Sequence, residues 1–316
     1  MDTELLRTFV TVAETRSVTR AGDVLHCSQP AVSRRLAQLE AAVGAQLFER
    51  VPTGMTLSAA GGRLLPYAQT ALAALGDGLE SVRSLRDGVS GPLTVAIVGT
   101  LASTSLTETL RALAARHPAL DLRLRTSTSI EAIDLVRRGE ATFGISYLFA
   151  DGPALTSEVV FEEKLAVICA PDHPRANTTV RSLSQLRGER WLAFPVRERQ
   201  PETSARHVHG ILAAAGVGAD AILIIDSLTA QKRLVEAGFG IALMQESGVT
   251  EELAAGTLQT IGLRAKAPRM AVTVTRRTRG YLSHAAQTLL DELRGADPRA
   301  IVRPRTDDAL AIADPG

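Results

Sequence analysis

The period of the apolar positions changes along the chain, and each change marks a new part. Leu5, Leu6, Phe9, Val10 and Ala13 share one helical stripe, which predicts a first helix of about four turns. Ser17 stands where it can cap a second, short helix with Val18, Ala21 and Leu25 on its inner face. His26 and Cys27 make a turn. Ser28 then stands at the cap of a third helix, with Pro30 in the first turn, where a missing N–H costs little. Val32, Leu36, Leu39 and Val43 of that helix point to one side, and Pro30, Ser33, Arg34, Ala37 and Gln38 to the other. Gly44 ends the helix as a C-cap glycine, Leu47 and Phe48 return to the core, and the stretch 50–57, RVPTGMTL, reads as a two-stranded wing.

A long helix follows, roughly Ser58 to Asp87. Leu65, Ala68, Leu72, Leu75, Leu79 and Val82 step by three and four, a seam of about three heptads. Such a seam has to be buried. A second copy of the helix is one partner; the chain's own C-terminal region is the other. Pro66, Gly76 and Gly78 lower the helix's intrinsic propensity, so packing has to hold it. The stretch 88–92, GVSGP, reads as a linker.

From Leu93 the pattern alternates between strands and helices. LTVAIV is a strand, a helix runs through Leu106, Leu110 and Leu113 to His117-Pro118, and LDLRLRT, SIEAIDLVRRGE and ATFGIS give strand, helix and strand. This order predicts a mostly parallel sheet with right-handed crossovers. A second round begins near Lys164: strand KLAVICA, short helix SLSQL, strand RWLAFP and a helix around Ser204–Ala215. Strand AILIID, a helix through Leu228–Ala237, strand GIALM and helix ESGVTEELAAG complete it. Strand MAVTVTRR and a last helix, Tyr281 to Arg294, are free to rejoin the first round. The pattern is that of a hinged, two-lobed binding domain followed by a loose tail over 297–316.

Length and charge refine this. At 316 residues the chain is too long for one ordinary core. The net charge is +1, and residues 1–60 are balanced as well. Arg7, Arg16, Arg20, Arg34, Arg35 and Arg50 stand against Asp2, Glu4, Glu14, Asp23, Glu40 and Glu49. If this segment binds DNA, a localised face does it and not bulk charge. The small polar face of the third helix, with one Arg, fits a major groove; a solvated surface helix has the same pattern. Cys27 and Cys169 lack disulfide or zinc spacing and fit a reducing compartment. The N-terminus shows no signal-peptide pattern and no apolar run approaches 18 residues. A cytoplasmic protein without a membrane partner is expected. His207 and His209 are the closest histidine pair, but at i and i+2 of a helix they point apart. No phosphate-binding loop, nucleophile elbow or HExxH pattern occurs, so no catalytic residue, metal or cofactor is expected.

The stretch 5–50, LLRTFVTVAETRSVTRAGDVLHCSQPAVSRRLAQLEAAVGAQLFER, carries an SQPAVSR core, an LE after it and a G-x-x-LF-x-R return, and TLSAAG follows. With these motifs the chain resembles the LysR-type transcriptional regulators over nearly its whole length, and LVEAGFGIALM resembles the family's second lobe. The resemblance implies an α/β multidomain chain: an N-terminal winged helix-turn-helix, a long linker helix and a C-terminal two-lobed, periplasmic-binding-protein-like α/β domain. The expected boundaries are 1–58 for the DNA-binding domain, with the helix-turn-helix at about 18–37, 59–90 for the linker dimerisation helix, and 91–296 for the effector domain. Lobe I takes 91–162 and 268–296, and lobe II takes 163–267. A homodimer through the linker helix, assembling further into a homotetramer, is implied. The implied partners are double-stranded DNA with an interrupted palindromic operator, a small-molecule effector and RNA polymerase.

Carried over by position, Gln29, Pro30, Ser33 and Arg34 are the residues that face the groove. Gln29 suits bidentate adenine recognition, and Arg34 suits guanine or a phosphate. Ser28 caps the reading helix, while Thr19, Arg50 and Thr53 stand where phosphate contacts are expected. Gly22, Asp23, Cys27, Thr142 and Gln245 depart from the family's usual residues. For the effector, the carboxyl ends of the strands supply Thr100, Ser103, Thr126, Thr128, Ser146, Pro195, Thr203 and Ser227. Hydroxyls and free N–H groups at helix starts favour an anion such as a small carboxylate, with Arg197, Arg199 and Arg206 available to add charge. Each hydroxyl taken singly also reads as an N-cap. A solute-binding sensor whose N-terminal helices make only protein contacts is the alternative.

Overall fold

The computed structural model describes residues 2–52, 54–87, 91–103, 106–150, 152–196 and 204–295. The tail 297–316, the linker residues 88–90, and Thr53, Arg197, Arg199 and Thr203 lie outside the described residues.

Three helices form the N-terminal unit: α1 (Thr3–Thr15), α2 (Val18–Leu25) and α3 (Gln29–Val43). Asp2 caps α1 by accepting from the Glu4 N–H, and Ser17 caps α2 by accepting from the Arg20 N–H. Leu6, Phe9 and Val12 of α1 meet Ala21, Val32, Leu36 and Leu39, all buried. The Thr8 and Thr11 hydroxyls, buried on the same face, donate back to the carbonyls of Glu4 and Arg7. Val43 departs from the predicted inner stripe: it is 41% exposed, because the last residue of α3 lies beyond the packed core. The wing is a hairpin, β1 (Phe48–Val51) and β2 (Gly54–Leu57), in which Arg50 pairs with Met55. Phe48 closes the core against Phe9, ring centroids 5.4 Å apart.

The linker helix α4 (Ala59–Asp87) runs unbroken through Pro66, whose surroundings are exposed, so the carbonyl left unpaired can meet water. The predicted seam divides in two. Ala68 is buried, and Leu65 and Leu72 pack onto the helix-turn-helix core. Leu75, Leu79 and Val82 stand 44%, 55% and 64% exposed within the single chain.

Gly91 and Pro92 were expected in the linker but already belong to β3 (Gly91–Val98). The first lobe continues with α5 (Leu106–Arg116), β4 (Leu120–Ser127), α6 (Ser129–Arg137) and β5 (Phe143–Ser146). β3 lies parallel to both β4 and β5. β6 (Leu155–Cys169) then runs through both lobes. The predicted strand near Lys164 is only its second half. Glu158, Glu162 and Glu163 interrupt the apolar pattern of the first half, but each has a partner: Arg294, Arg269 and Ser247 respectively.

The second lobe adds β7 (Thr179–Val180), β8 (Trp191–Ala193), α7 (Ser204–Ala214), β9 (Ile222–Ile224), α8 (Leu228–Glu236), β10 (Ala242–Gln245), α9 (Thr250–Ala255) and β11 (Gln259–Leu263). Leu183–Leu186, expected as a short helix, is one turn of 3₁₀ helix. β12 (Arg269–Arg277) returns along the first half of β6, and α10 (His284–Gly295) covers the first lobe. That helix starts at His284, three residues after the predicted Tyr281, with the Ser283 hydroxyl accepting from the Ala286 N–H.

The sheet is mixed, not mostly parallel. β12 pairs antiparallel with both β5 and β6, and β10 and β11 pair antiparallel with the far end of β6. β5 and β6 run in the same direction with room for one strand between them, and the returning β12 fills that gap antiparallel to both, which makes the sheet mixed. The separate cores of the two lobes are joined by these continuous strands.

Candidate nucleic-acid interface and effector cleft

The turn between α2 and α3 closes tightly. Its Cys27 N–H donates to the Gly22 carbonyl at 2.9 Å. A Cβ on Gly22 would stand 2.7 Å from the Cys27 carbonyl oxygen. Glycine at this position therefore permits a closer approach of turn and helix than alanine allows. Cys27 sits half-buried at the edge of the core.

On α3, Gln29, Pro30, Arg34, Ala37 and Gln38 are exposed and Ser33 is half-buried. The Gln29 carboxamide donates to the Ser33 hydroxyl at 3.1 Å. Ser28 occupies the N-cap position, but its side chain makes no cap hydrogen bond, contrary to the expectation. Its carbonyl accepts from Ala31 and Val32 instead, and the hydroxyl is left exposed. Pro30 has no N–H to offer that hydroxyl, which removes one of the usual cap donors. Arg34 has no ion-pair partner among the described residues, whereas its neighbour Arg35 is paired with Glu4 at 3.2 Å. Glu40 is also occupied, accepting from the Leu47 N–H at 2.7 Å. Glu14 lies 3.7 Å from Arg138 of the first lobe, and burial pushes its carboxyl up against the pull of that guanidinium. The balanced charge of the segment is thus not evenly spread: several carboxylates are tied down, and Arg34 is free. Thr19 is exposed on α2.

Among the described residues, the predicted effector residues do not form one cluster. Thr128 caps α6 with a full capping box to Glu131, and Ser227 caps α8 by accepting from the Ala230 N–H. Thr126 is exposed near the end of β4. Ser146 is buried, its hydroxyl accepting from the Leu148 N–H at 3.2 Å. Pro195 is half-buried after β8, and Ser103 ends a 3₁₀ turn, Gly99–Ser103.

Among the described residues, Thr100 is the predicted one that lines the space between the lobes, beside Ala193, Phe194, Gln231, Leu243 and Gln245. That space is about 20 Å³, room for roughly one water molecule. Gln245 in its wall, and Tyr147 bonded to that wall from behind, are not among the predicted set. The Tyr147 hydroxyl accepts from Thr100 at 3.2 Å and from the Gln245 carboxamide at 3.0 Å, so one hydrogen-bonded chain spans both lobes. Burial raises the Tyr147 phenol well above its ordinary value. Glu163 accepts from the Ser247 hydroxyl at 2.6 Å, and burial raises its carboxyl too, against that hydrogen bond. Tyr147 directly follows β5 and Gln245 ends β10, and their meeting depends on how the lobes close. Among the described residues no cluster suited to a metal ion occurs, and no helix is long and apolar enough to cross a membrane.

A helix-turn-helix with an exposed polar edge, a linker helix and a two-lobed cleft together define a DNA-binding regulator with a sensing domain. Residues 3–62 match the family model of the bacterial regulatory helix-turn-helix proteins of the lysR family, and residues 86–298 match the LysR substrate binding domain. The chain belongs to the LysR family of transcriptional regulators. The transcriptional regulator CfxR of Cupriavidus necator is 29% identical over 254 residues, covering 80% of this chain and 78% of its own. BbuR of Bordetella bronchiseptica is 27% identical over 307 residues, 96% of this chain and 92% of its own. Among solved structures, a variant of full-length OxyR from Pseudomonas aeruginosa shares the fold with a TM-score of 0.72 at 22% identity, covering 94% of this chain and 99% of that one. Full-length CbnR in complex with its target DNA superposes with a TM-score of 0.63 at 25% identity, over 93% and 99% of the two chains. The protein is a LysR-type regulator with DNA-binding and effector-binding domains, and the sensor-only alternative is not favoured.

Proposed function

We propose that α3 reads DNA through Gln29, Pro30, Ser33 and Arg34, with Thr19, Ser28, Arg50 and Thr53 on phosphates. The observation that carries this reading is the unpaired, exposed Arg34 on the same edge as Gln29. A lone cation on an uncharged polar edge is suited to a groove, whereas the paired Arg35 is not. The exposed Leu75, Leu79 and Val82 support a homodimer through α4. Two reading helices then enter successive major grooves about one helical turn apart, on an interrupted palindrome. Higher assembly to a tetramer and contact with RNA polymerase belong to the same reading, as does a cytoplasmic location without cofactor or catalysis.

The effector enters between the lobes, over the Thr100–Tyr147–Gln245 chain, and is a small molecule with a carboxylate as its favoured class. In support, α8 opens onto the cleft through Leu228 and α7 through Ser204, and helix starts favour anions. Room for roughly one water means that the lobes must part to admit it. Rearrangement of the lobes shifts the linker helices and so the spacing and bend of the bound DNA. We place the hinge where β6 passes between the lobes, near 162–163, and where the chain enters β12, near 267–268. Nuclease footprinting on the upstream DNA of the regulated gene tests the reading. Protection of an interrupted palindrome, weakening steeply with salt, is the expected result; protection without sequence preference, unchanged by Arg34→Ala, would refute it.

A further inference from the structure

A second cavity, of about 310 Å³, lies where the linker helix meets the first lobe, well away from the cleft between the lobes. One wall is α4, through Thr70, Ala74 and Asp77, which share one helical face. The other wall is the approach to β6, with Pro153, Ala154 and Leu155, and the turn after β12. The space equals roughly ten liquid waters and falls at the small end of the range for ligand pockets.

The wall is not the dimer seam. Leu75, Leu79 and Val82 are centred roughly 140° around the helix from Thr70, Ala74 and Asp77, so a partner helix on the seam does not cover the cavity face. The helix is also firmly seated there. Asp77 is held by Arg277 at 2.6 Å, and Arg277 donates further to the Val136 carbonyl at 2.9 Å. Gly139 approaches Ala73 so closely that a Cβ on it would stand 2.6 Å from the alanine Cβ.

Among the described residues, the charges of the lining leave one cation over. Asp77 is neutralised by Arg277, and Arg137 is paired with Asp134. Arg279 is exposed at the rim and has no partner among the described residues. Apolar walls with one unpaired guanidinium suit a ligand with an apolar body and a single negative charge. We propose that this junction binds a small apolar monoanion, an aromatic or branched-chain carboxylate, with its body against Ala74, Ala154 and Leu155 and its charge on Arg279. The proposal is independent of the effector in the cleft. A ligand that touches both walls favours the seated linker helix, and by linkage the seated helix binds it more tightly.

The test is calorimetric titration of the full-length protein with 1-naphthoate and with its uncharged counterpart 1-naphthamide. Saturable binding of one 1-naphthoate per chain is expected, about tenfold weaker in Ala154→Phe, which fills the cavity. Arg279→Glu, at an exposed position, is expected to weaken 1-naphthoate about fivefold and leave 1-naphthamide unchanged. Equal binding of the two compounds by the wild type overturns the proposal. So does undiminished binding by Arg279→Glu, or a loss of binding in Thr100→Val, which places the compound between the lobes.

Discussion

Asp77 of the linker helix and Arg277 at the end of the last strand meet at 2.6 Å, with a second contact at 3.3 Å, though 200 residues separate them. Both are largely buried, at 19% and 12% exposure. Arg277→Ala strands the Asp77 carboxylate and releases the Val136 carbonyl. A loss of about 2 kcal/mol is expected in denaturant unfolding, reduced from the value for a fully buried pair because water reaches both groups. In a double-mutant cycle with Asp77→Ala, a coupling of about 1–2 kcal/mol is expected. Additive losses would show that the pair does not hold the helix.

The seam of α4 predicts the oligomeric state. Leu79→Asp places a charge among Leu75, Leu79 and Val82 without touching the core of the chain. Sedimentation should show loss of self-association with helical content retained. A dimer of unchanged strength would place the partner contact elsewhere.

At the turn before the reading helix, Gly22→Ala forces the new Cβ against the Cys27 carbonyl. Overpacking of this kind costs about 1–3 kcal/mol, read as a lower melting point and weaker DNA binding. An unchanged melting point would mean that the turn can widen freely.

Glu163 predicts a pH dependence. Its folded pKa is raised, chiefly by burial, so the group favours the folded state while protonated. That contribution is complete below the ordinary carboxylate value and is lost as pH rises through the raised one. Glu163→Gln keeps an acceptor for the Ser247 hydroxyl and removes the charge. Its melting point should exceed the wild type's at pH 8 and approach it at pH 4. An equal difference at both pH values would rule out titration of Glu163 as the cause.

Much of this architecture is legible in the sequence where a local rule governs. Ser17, Gly44 and the stripe of Leu6, Phe9, Val32, Leu36 and Leu39 obey capping and periodicity, and the structure follows them. The rules mislead where long-range contacts decide. Ser28 has the right residue type for a cap, but Pro30 removes a donor and the backbone does the capping. The first half of β6 carries glutamates that satisfy themselves with Arg294, Arg269 and Ser247, partners distant in sequence. Thr100, Tyr147 and Gln245 come together only once two lobes are folded. The heptad seam is uniform in sequence, yet its first half packs within the chain and its second half stays exposed.

Base reading by the Gln29–Arg34 edge of α3 is tested by equilibrium binding to the footprinted operator and to random DNA of equal length. Gln29→Ala should weaken operator binding by about 1–3 kcal/mol and leave random-DNA affinity nearly unchanged. Ser33→Ala, which frees the Gln29 carboxamide from its 3.1 Å bond, should keep most of the preference. Arg34→Ala should weaken the operator complex as well, and lower the salt slope by about one if the contact is to a phosphate. Equal losses on both DNAs for Gln29→Ala, or none on either, would show that Gln29 does not read a base.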